Sequence, residues 1–506
     1  MKAKQLLSLL LALLMVVTMF VSCGDDKGTE TDPPSKETNG PSTGNDETEI
    51  TDDLGDAYFG NEENPTITFF VRSNGGCNNE VWVEAPGVDD LNDAIYWRNQ
   101  TIKERLGVTI TQIAQPGNSG SDIGTWNETL RSAVQNRTHD YDATMFYTGA
   151  ASSLATEGCY MDLTELEPIS LEKPWWNQDL LKQATIYDSL YFASGYIAHS
   201  QIRRAALIWY NKNLYNEWCA ASGKKDIYQV VRDNEWTIDY MYELTSAVHQ
   251  DNDSNGEMSS GDVVGFGGDA KSTNGHMNAW LYALGCDLTQ MNESTGLPEA
   301  CFYNEHTIQA HDALVRLYAK NDGAFVEFSS AASVGDTKFT NGNVMMTLGT
   351  FKEGEGYRDL TFDFGVLPLP MFDGEQDGYR TITEGISSMV AVLSTVEDNR
   401  LEMVASTVEL MAAESYKTVI PTYIDSVLKS KQANSPEDAE MVQTVIDSLV
   451  YSFGWIFSDQ MNKVQLGFRT VDGSLDLAKD YGEKGEVYKS NIEDLLLAFE
   501  ALQSLK

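Results

Sequence analysis

Apolar positions follow helical and strand spacing in turn along this chain, and they predict alternating strands and helices. Thr66–Val71 is a short β-prone run, and Leu91–Leu106 carries apolar residues at helical spacing until Gly107 interrupts it. Val108–Ile113 is the next β-prone run. These three segments predict a β-α-β unit, which is the usual start of a parallel sheet.

The alternation continues to the end of the chain. Further strands are predicted at Ala143–Tyr147, Ala205–Tyr210 and Val263–Gly267, and further helices at Thr125–Val134, Asn278–Leu284, His306–Ala319, Val396–Ala413, Pro421–Glu440, Met441–Leu449 and Ile492–Leu505. Loops at the carboxyl ends of strands line the ligand crevice of open α/β sheets. Position alone therefore makes Arg72, Ser73, Asn74, Tyr147 and Thr148 candidate binding residues.

The stretch Asp188–Trp218 carries the most specific pattern. Leu190–Ile197 predicts a strand that contains Gly195, a short polar turn follows, and Ala205–Tyr210 predicts a second, fully buried strand. Asn211 then offers an N-cap for a helix. The order SLYFASGYI, then ALIWYNKNLYNEW, resembles the extracellular solute-binding proteins of bacterial ABC importers, whose chain crosses between two lobes here. The alternative is an ordinary buried β-α unit.

Later segments extend this resemblance over about Pro65 to Lys506. They are Gly158–Thr164, Trp236–Met241, Phe339–Met346, Phe364–Pro370 and Arg380–Ser388. The resemblance implies an α/β fold of two lobes, a clamshell in which each lobe is a mixed sheet flanked by helices. It implies discontinuous domains joined by crossing strands, with residues 61–196 and 367–411 in lobe 1 and residues 197–366 and 412–506 in lobe 2. We place the hinges at Gly195 and Phe364–Pro370, and we expect Arg380–Ser388 to return to lobe 1 and line the cleft.

The N-terminus predicts export and a membrane anchor. Lys2 and Lys4 precede the apolar run Leu6–Val21, which is short for a membrane-spanning helix and suits a signal peptide at residues 1–22. Phe20–Gly24 resembles a bacterial lipobox, so Cys23 is the predicted lipidation site; the alternative is simple secretion with an incidental cysteine. Residues 23–60 are polar and predict a lipidated, disordered tether. We expect an extracytoplasmic protein held on the cell membrane.

Composition narrows the function classes. A chain of 506 residues is too long for one core, so two or three domains are expected. The formal charge of −41 argues against nucleic acid and anionic membrane surfaces as partners. The six cysteines show no C-x-x-C spacing, so neither a zinc site nor a redox pair is indicated. We expect a monomer.

Residues 251–262, DNDSNGEMSSGD, predict a calcium loop. Oxygen-bearing side chains recur at alternate positions around Gly256, which permits a sharp turn. The predicted ligands are Asp251, Asp253, Asn255, Glu257 and Asp262, with Glu257 contributing its backbone carbonyl. The Ca²⁺ would be a structural clip, and no other cofactor is expected. The alternative is a solvated acidic turn.

No catalytic motif appears, and the six histidines are scattered. We therefore expect a binding protein and not an enzyme. A secreted glycoside hydrolase stays open, because its two carboxylates need no local motif. A surface sugar sensor or adhesin on the same fold and anchor also stays open.

A carbohydrate site needs flat aromatic faces and fixed polar groups for the hydroxyls. The aromatic candidates are Trp126, Tyr147, Trp280 and Trp455, and the polar candidates are Arg72, Asn74, Thr148, Thr350 and Glu384. Trp175, Trp176 and Trp209 are assigned to packing. The resemblance implies an oligosaccharide ligand that is passed to the permease subunits of an importer.

Overall fold

Two β-sheets organise the part of the chain that the structure describes. The computed structural model describes residues 50–74, 79–118, 120–218, 223–259, 261–270, 275–328, 334–425, 435–461 and 463–504. They belong to one compact unit, Glu47–Lys506. The predicted signal peptide and the predicted lipidation site Cys23 lie outside the described residues.

The predicted tether ends earlier than residue 60. Asp52 is buried and accepts a hydrogen bond from Arg105 Nη1 at 2.5 Å. The backbone N–H of Phe59 donates to the carbonyl of Leu106 at 2.7 Å. A scarcity of large apolar residues predicted disorder here, but an ion pair and backbone hydrogen bonds fix residues 52–59 to the folded unit.

The strands are β1 (Thr66–Arg72), β2 (Thr109–Gln115), β3 (Ala143–Tyr147), β4 (Ala206–Asn211), β5 (His249–Gln250), β6 (Val263–Asp269), β7 (Thr289–Met291), β8 (Pro298–Ala300), β9 (Ala324–Glu327), β10 (Val344–Thr350), β11 (Phe364–Leu367) and β12 (Ser388–Val392). The α-helices are α1 (Asp90–Leu106), α2 (Gly120–Asn136), α3 (Thr148–Ala155), α4 (Gln178–Ala184), α5 (Ser200–Arg203), α6 (Lys212–Trp218), α7 (Ile227–Arg232), α8 (Ile238–Ser246), α9 (Asn278–Ala283), α10 (Glu305–Ala319), α11 (Val334–Thr340), α12 (Phe351–Gly354), α13 (Asp398–Glu414), α14 (Ile420–Thr422), α15 (Pro436–Asp447), α16 (Phe453–Ile456) and α17 (Leu477–Gln503). One-turn 3₁₀ segments lie at Leu163–Glu165, Gly275–Met277, Tyr357–Asp359 and Val464–Leu466, and a π-helical turn lies at Ser415–Val419.

The first sheet has the strand order β12-β3-β1-β2. β1 pairs in parallel with β2 and β3, and β12 runs antiparallel to β3. Helix α1 connects β1 to β2, so the predicted β-α-β unit is confirmed. Its N-cap is Asp89, whose carboxylate accepts from the Asn92 N–H, and Gly107 ends the helix at φ +71°.

The second sheet has the order β11-β4-β10-β6-β5, and β9 pairs with β6. β4 is buried along its whole length and lies between two antiparallel neighbours, as its unbroken apolar run predicted. The Asn211 side chain accepts from the N–H groups of Asn213 and Leu214, which confirms the predicted N-cap. Both sheets are mixed and flanked by helices, so the predicted fold class is confirmed.

The chain passes from the first sheet to the second later than predicted. Leu190–Ile197 is not a sheet strand, because it makes only single bridges, from Ala193 to Val390 of β12 and from Gly195 to Trp176. The passage itself is made by α5 and Arg204, directly before β4. Gly195 is needed for close approach, since a Cβ there would lie 2.2 Å from the carbonyl oxygen of Trp175. The residue predicted as a hinge thus lies before the passage, bridged to Trp176, and its role as a hinge stays a prediction.

The return passage is also displaced from its predicted place. Phe364–Pro370 was predicted to cross, but β11 pairs antiparallel with β4 inside the second sheet. The chain returns through Arg380–Ser388, as predicted from the sequence. At the start of this segment Thr381 bridges to Leu449, and at its end Ser388 begins β12 of the first sheet. The two sheets are thus joined near residues 200–205 and 381–388.

The C-terminal quarter departs most from the predicted helices. Pro421–Glu440 was predicted as one helix, but Ser435 is an extended N-cap from which α15 begins at Pro436, and residues 426–434 lie outside the described residues. Ile492–Leu505 is the last part of the longer helix α17. Residues 415–422, assigned to lobe 2 from the sequence, contact α1 beside the first sheet. The exact lobe boundaries stay a prediction.

Candidate functional site

The candidate site is built around Tyr147, the last residue of β3, and the return segment 381–388. Tyr147 is half-buried, and a Cβ built on Gly385 would lie 3.5 Å from its hydroxyl and 3.3 Å from the Trp455 ring. The absent side chain lets both rings approach the return segment. Two predicted aromatic candidates, Tyr147 and Trp455, therefore come together where the chain passes between the sheets.

Glu384 forms the charged centre of this region. Its Oε2 lies 3.2 Å from Arg204 Nη1, and its Oε1 lies 3.2 Å from His276 Nε2. Arg204 lies on the outward passage and His276 follows β6 of the second sheet, so Glu384 links both passages to the second lobe. Burial by itself raises the pKa of Glu384, but His276 and Arg204 together lower it to about 2. The carboxylate is therefore ionised at neutral pH.

Arg72 and Thr148 hold the return segment against the first sheet. Arg72, at the end of β1, is buried and its Nη2 donates to the Ile386 carbonyl and, at 3.4 Å, to Ser388 Oγ. The Thr148 hydroxyl and backbone N–H both donate to the Ser387 carbonyl, at 3.0 and 3.1 Å. The polar groups of Thr148 are thus used to position the segment that carries Glu384.

The charges of four residues act on the Tyr147 phenol. Burial raises its pKa to about 12, and the charges of Asp459 and Glu384 act in the same direction, while Arg72 and Arg469 oppose them. Arg469 is buried in the segment after Val464–Leu466, and burial lowers its pKa to about 10. Tyr147 is therefore a neutral hydrogen-bonding group with two arginines near it.

Two of the predicted aromatic platforms lie in the core. Trp126 stacks on Phe146 with ring centroids 3.4 Å apart and on Phe70 at 4.5 Å, so both its faces are covered. Trp280 is fully buried and donates from Nε1 to the Tyr318 hydroxyl at 2.8 Å. Both rings are packed in the core in this structure, so neither presents an open face for a ligand.

Two polar candidates have structural partners. Thr350 is buried, its hydroxyl caps α12 together with Glu353, and its carbonyl accepts from Trp209 Nε1 at 3.1 Å. Asn74 is half-buried and its Oδ1 accepts from the Gly117 N–H at 3.1 Å. Of the nine predicted ligand-binding residues, the structure groups Arg72, Tyr147, Thr148, Glu384 and Trp455.

Sequence reasoning missed Arg204, His276 and Arg469. Arg204 precedes the predicted buried strand directly, in the sequence RRA, and a charged residue at the edge of a buried strand could have indicated a site residue. His276 was set aside with the other histidines because no motif surrounds it. No local pattern marks Arg469, because its neighbours reach it only through the fold. Trp175 and Trp176 are packing residues as predicted, since both indoles donate to the buried carboxylate of Glu409 at 3.0 Å.

The predicted calcium loop brings three of its five ligands together. Carboxylate oxygens of Asp251, Asp253 and Asp262 lie within 4.8 Å of one another. Asp262 is fully buried, and its two oxygens accept from the N–H groups of Asn252 and Ser259 at 2.9 and 2.7 Å. The side chains of Asn255 and Glu257 are exposed. Three close carboxylates are a donor set that suits a hard divalent cation.

Comparison with known proteins shows which solved structures share this fold. No family model and no curated protein sequence matches the chain. Solved structures match over most of their length: UgpB from Mycobacterium tuberculosis in complex with glycerophosphocholine has a TM-score of 0.55 at 13% identity, covering 85% of this chain and 98% of that one. A maltose-maltodextrin binding protein from Alicyclobacillus acidocaldarius has a TM-score of 0.52 at 13% identity, covering 85% of this chain and 100% of that one. An ABC substrate-binding protein from Listeria monocytogenes in complex with cycloalternan has a TM-score of 0.51 at 13% identity, covering 86% and 99%.

These likenesses define the fold as that of the two-lobed solute-binding proteins of ABC importers. Across the described ranges, no helix is both long enough and apolar enough to cross a membrane.

Proposed function

We propose that this protein captures a carbohydrate between its two lobes and delivers it to the permease of an ABC importer. The observation that carries the proposal is the grouping of Tyr147, Trp455 and Glu384 at the passages between the two sheets. An aromatic face can cover the C–H face of a sugar ring, and the phenol and carboxylate can bind its hydroxyls. The solved structures with this fold include proteins bound to cycloalternan and maltotetraose, which supports a sugar as the class of ligand.

The two passages give the capture mechanism. Two lobes whose sheets are joined near residues 200–205 and 381–388 can rotate about a few residues in such passages. A ligand that contacts both lobes stabilises the closed arrangement and shifts the population toward it. Glu384 lies on one of the two passages, so a hydroxyl bound to it would link the ligand directly to the rotating segment.

The ligand is proposed to leave unaltered. The fold neighbours are binding proteins, and the charged groups of the site are already engaged with one another: Glu384 is ionised between Arg204 and His276. A glycosidase acid must hold a proton near neutral pH, which a carboxyl with a pKa of about 2 does not do. Recovery of an added oligosaccharide without hydrolysis products tests this part.

The remaining features complete the proposal. The Phe20–Gly24 segment supports export and lipidation at Cys23, which would hold a monomeric protein outside the cytoplasm beside its permease. The loop 251–262 would bind one structural Ca²⁺ through Asp251, Asp253 and Asp262, with Asn255 and Glu257 completing the shell. That ion would stiffen the turn before β6 and has no part in ligand binding.

The test is a binding screen with one paired substitution. The protein is screened by thermal shift against neutral and acidic oligosaccharides, and ligands that raise the melting temperature are measured by calorimetry. Trp455→Ala is expected to weaken binding by roughly tenfold or more, because it removes an aromatic face from the site. Trp97→Ala, at a ring that is 57% exposed on α1, is the control and should leave the affinity unchanged. Equal affinities of the two variants, or a panel in which no sugar binds, would refute the proposed function.

A further inference from the structure

Arg469 presents a buried guanidinium edge to which no described residue offers a hydrogen-bond acceptor. The residue is 6% exposed, and its Nε and Nη2 atoms have no hydrogen-bond acceptor in the described ranges. Nε and Nη2 form one side of the planar guanidinium and point the same way, so together they can bind two oxygens of one group. This edge is therefore a donor pair without an acceptor.

Other arginines of this protein show what such an edge binds. Arg203 donates from Nε and Nη2 to the two oxygens of Glu355 at 2.6 and 2.8 Å. Arg232 likewise donates from Nε and Nη2 to the two carboxylate oxygens of Glu440, at 2.9 and 2.5 Å. Both of those pairs are more exposed than Arg469. The most buried of the three edges is thus the one without a carboxylate.

Burial without a partner is costly for this group. Although burial lowers the pKa of Arg469 to about 10, the guanidinium stays protonated at neutral pH. A buried charge is stable only when it is paired and hydrogen-bonded. The stability lost by holding Arg469 in this state is recovered if an anion enters the site.

The acids whose charges act on Tyr147 are already engaged. Glu384 pairs with Arg204 and His276, and Asp459 pairs with Lys463 at 2.9 Å. Tyr147, the group on which the Arg469 charge acts, is neutral at pH 7 because burial raises its pKa to about 12. In the described residues, neither of these acids forms an ion pair with Arg469.

Arg72 is a second cation whose charge acts on Tyr147. Its Nη2 donates to the Ile386 carbonyl and to Ser388 Oγ, whereas its Nε and Nη1 are buried and contact no acceptor in the described residues. Glu80, a buried acid, accepts from the Ser388 hydroxyl and the Ser200 N–H. Glu80 thus offsets part of the Arg72 charge and reaches it only through Ser388.

We propose that the ligand of this site is an acidic carbohydrate, whose anionic oxygen group binds the Nε–Nη2 edge of Arg469 beside Tyr147. The group is a carboxylate, as in a uronic acid, or a sulfate or phosphate ester, since each offers two oxygens at the spacing of this edge. This inference rests on the proposed function and names the chemistry of its ligand. The overall charge of −41 does not oppose it at short range, because salt screens exposed charges beyond about 8 Å at physiological ionic strength.

The experiment compares size-matched trisaccharides on the full chain by calorimetry. The panel is maltotriose, trigalacturonic acid, and a sulfated and a phosphorylated maltotriose, with glycerol phosphate as an anion that is not a sugar. We expect at least one acidic trisaccharide to bind roughly 10- to 100-fold more tightly than maltotriose, the contribution typical of hydrogen bonds to charged groups. The three acidic arms distinguish a carboxylate from the two esters.

Two substitutions at Arg469 separate recognition from folding. Arg469→Gln removes the charge, and Arg469→Lys keeps the charge but loses the paired edge. Both are expected to remove most of the preference for the acidic ligand while maltotriose binding changes little, and Arg232→Gln is the matched control that should keep the preference. A purely structural arginine would lower the melting temperature of both variants without changing the ratio of acidic to neutral affinity, and that result would overturn the inference.

The outcomes also separate this inference from the proposed function. If maltotriose binds as tightly as every acidic trisaccharide, carbohydrate capture stands and the acidic ligand is refuted. If only glycerol phosphate binds, and Arg469→Gln abolishes that binding, the anion site stands and carbohydrate capture is refuted. If no anionic compound of the panel binds, the inference fails.

Discussion

Replacing Glu384 by glutamine should reverse the pH dependence that His276 gives to folding stability. His276 Nε2 lies 3.2 Å from Glu384 Oε1, and the Arg204 guanidinium lies on the other carboxylate oxygen. Burial by itself lowers the pKa of His276, but the Glu384 carboxylate outweighs burial and raises the pKa to about 9. The charged pair is thus held inside the site at neutral pH.

The magnitude follows from proton linkage. The unfolded histidine loses its proton near pH 6.5 and the folded one near pH 9. Between these values the folded state binds more protons, so the free energy of unfolding falls as pH rises. At about 1.4 kcal/mol per pH unit, the loss amounts to about 3 kcal/mol at most. Glu384 itself stays ionised across this window, since its pKa is about 2.

In Glu384→Gln the carboxylate that raised the pKa of His276 is gone, and burial then lowers this pKa below 6.5. The folded histidine releases its proton first, so the free energy of unfolding should rise with pH up to about 6.5 and stay level above it. The slope between pH 6.5 and 9 is therefore lost, and the slope below pH 6.5 has the opposite sign.

The assay is urea unfolding at half-unit steps from pH 5.5 to 9. Glu355→Gln is the control, because it removes a nearby acid that pairs with Arg203 and leaves the His276–Glu384 contact in place. This control should keep the wild-type slope. A Glu384→Gln curve that still falls between pH 6.5 and 9 by the wild-type amount would refute the electrostatic account of the site.

Three further predictions concern stability. Glu409 is fully buried, and burial outweighs its two indole hydrogen bonds and raises its pKa to about 7. Because the folded state then binds more protons, the free energy of unfolding should fall as pH rises from about 4.5 to about 7. Urea titration of Glu409→Gln should show that this fall is gone. Gly195→Ala should lower the free energy of unfolding by about 1–3 kcal/mol, because its Cβ would lie 2.2 Å from the Trp175 carbonyl, and an unchanged urea midpoint would contradict the close approach. Millimolar Ca²⁺ should raise the melting temperature after chelation, and Asp262→Asn should abolish that rise; a wild-type protein that does not respond to Ca²⁺ contradicts the predicted metal loop.

The fold followed from the sequence wherever local patterns decide the structure. β3 and β4 are continuous apolar runs between turn signals, and Asn211 is a capping side chain at the start of a helix; each was predicted within a residue. The β-α-β unit at the start of the fold could be predicted because the hydrophobic spacing changes from that of a helix to that of a strand at Gly107. These features depend on neighbours along the chain, which a single sequence displays.

The crossings could not be located from the same kind of pattern. Leu190–Ile197 has the composition of a strand, but it makes only single bridges, and pairing partners are set by the packed sheet and not by the segment itself. Phe364–Leu367 likewise has the composition of a crossing strand in the family that it resembles. Its place in the second sheet depends on β4, more than 150 residues earlier in the chain.

The site was predicted where it follows strand ends and missed where it depends on tertiary contacts. Tyr147 lies at the carboxyl end of β3, so position alone indicated it. Trp126 and Trp455 are indistinguishable by residue type and both are buried, and only tertiary packing brings the Trp455 ring close to Gly385 and Tyr147. Arg469 approaches Tyr147 from a segment more than 300 residues later, and no spacing rule covers that distance.

The most direct test of the two-lobe capture account is small-angle X-ray scattering with and without a saturating ligand from the glycan panel. Closure about residues 200–205 and 381–388 predicts a smaller radius of gyration in the ligand-bound protein, with Trp455→Ala requiring a higher ligand concentration for the same change. An unchanged radius of gyration, measured with a ligand whose binding calorimetry has established, would contradict the account.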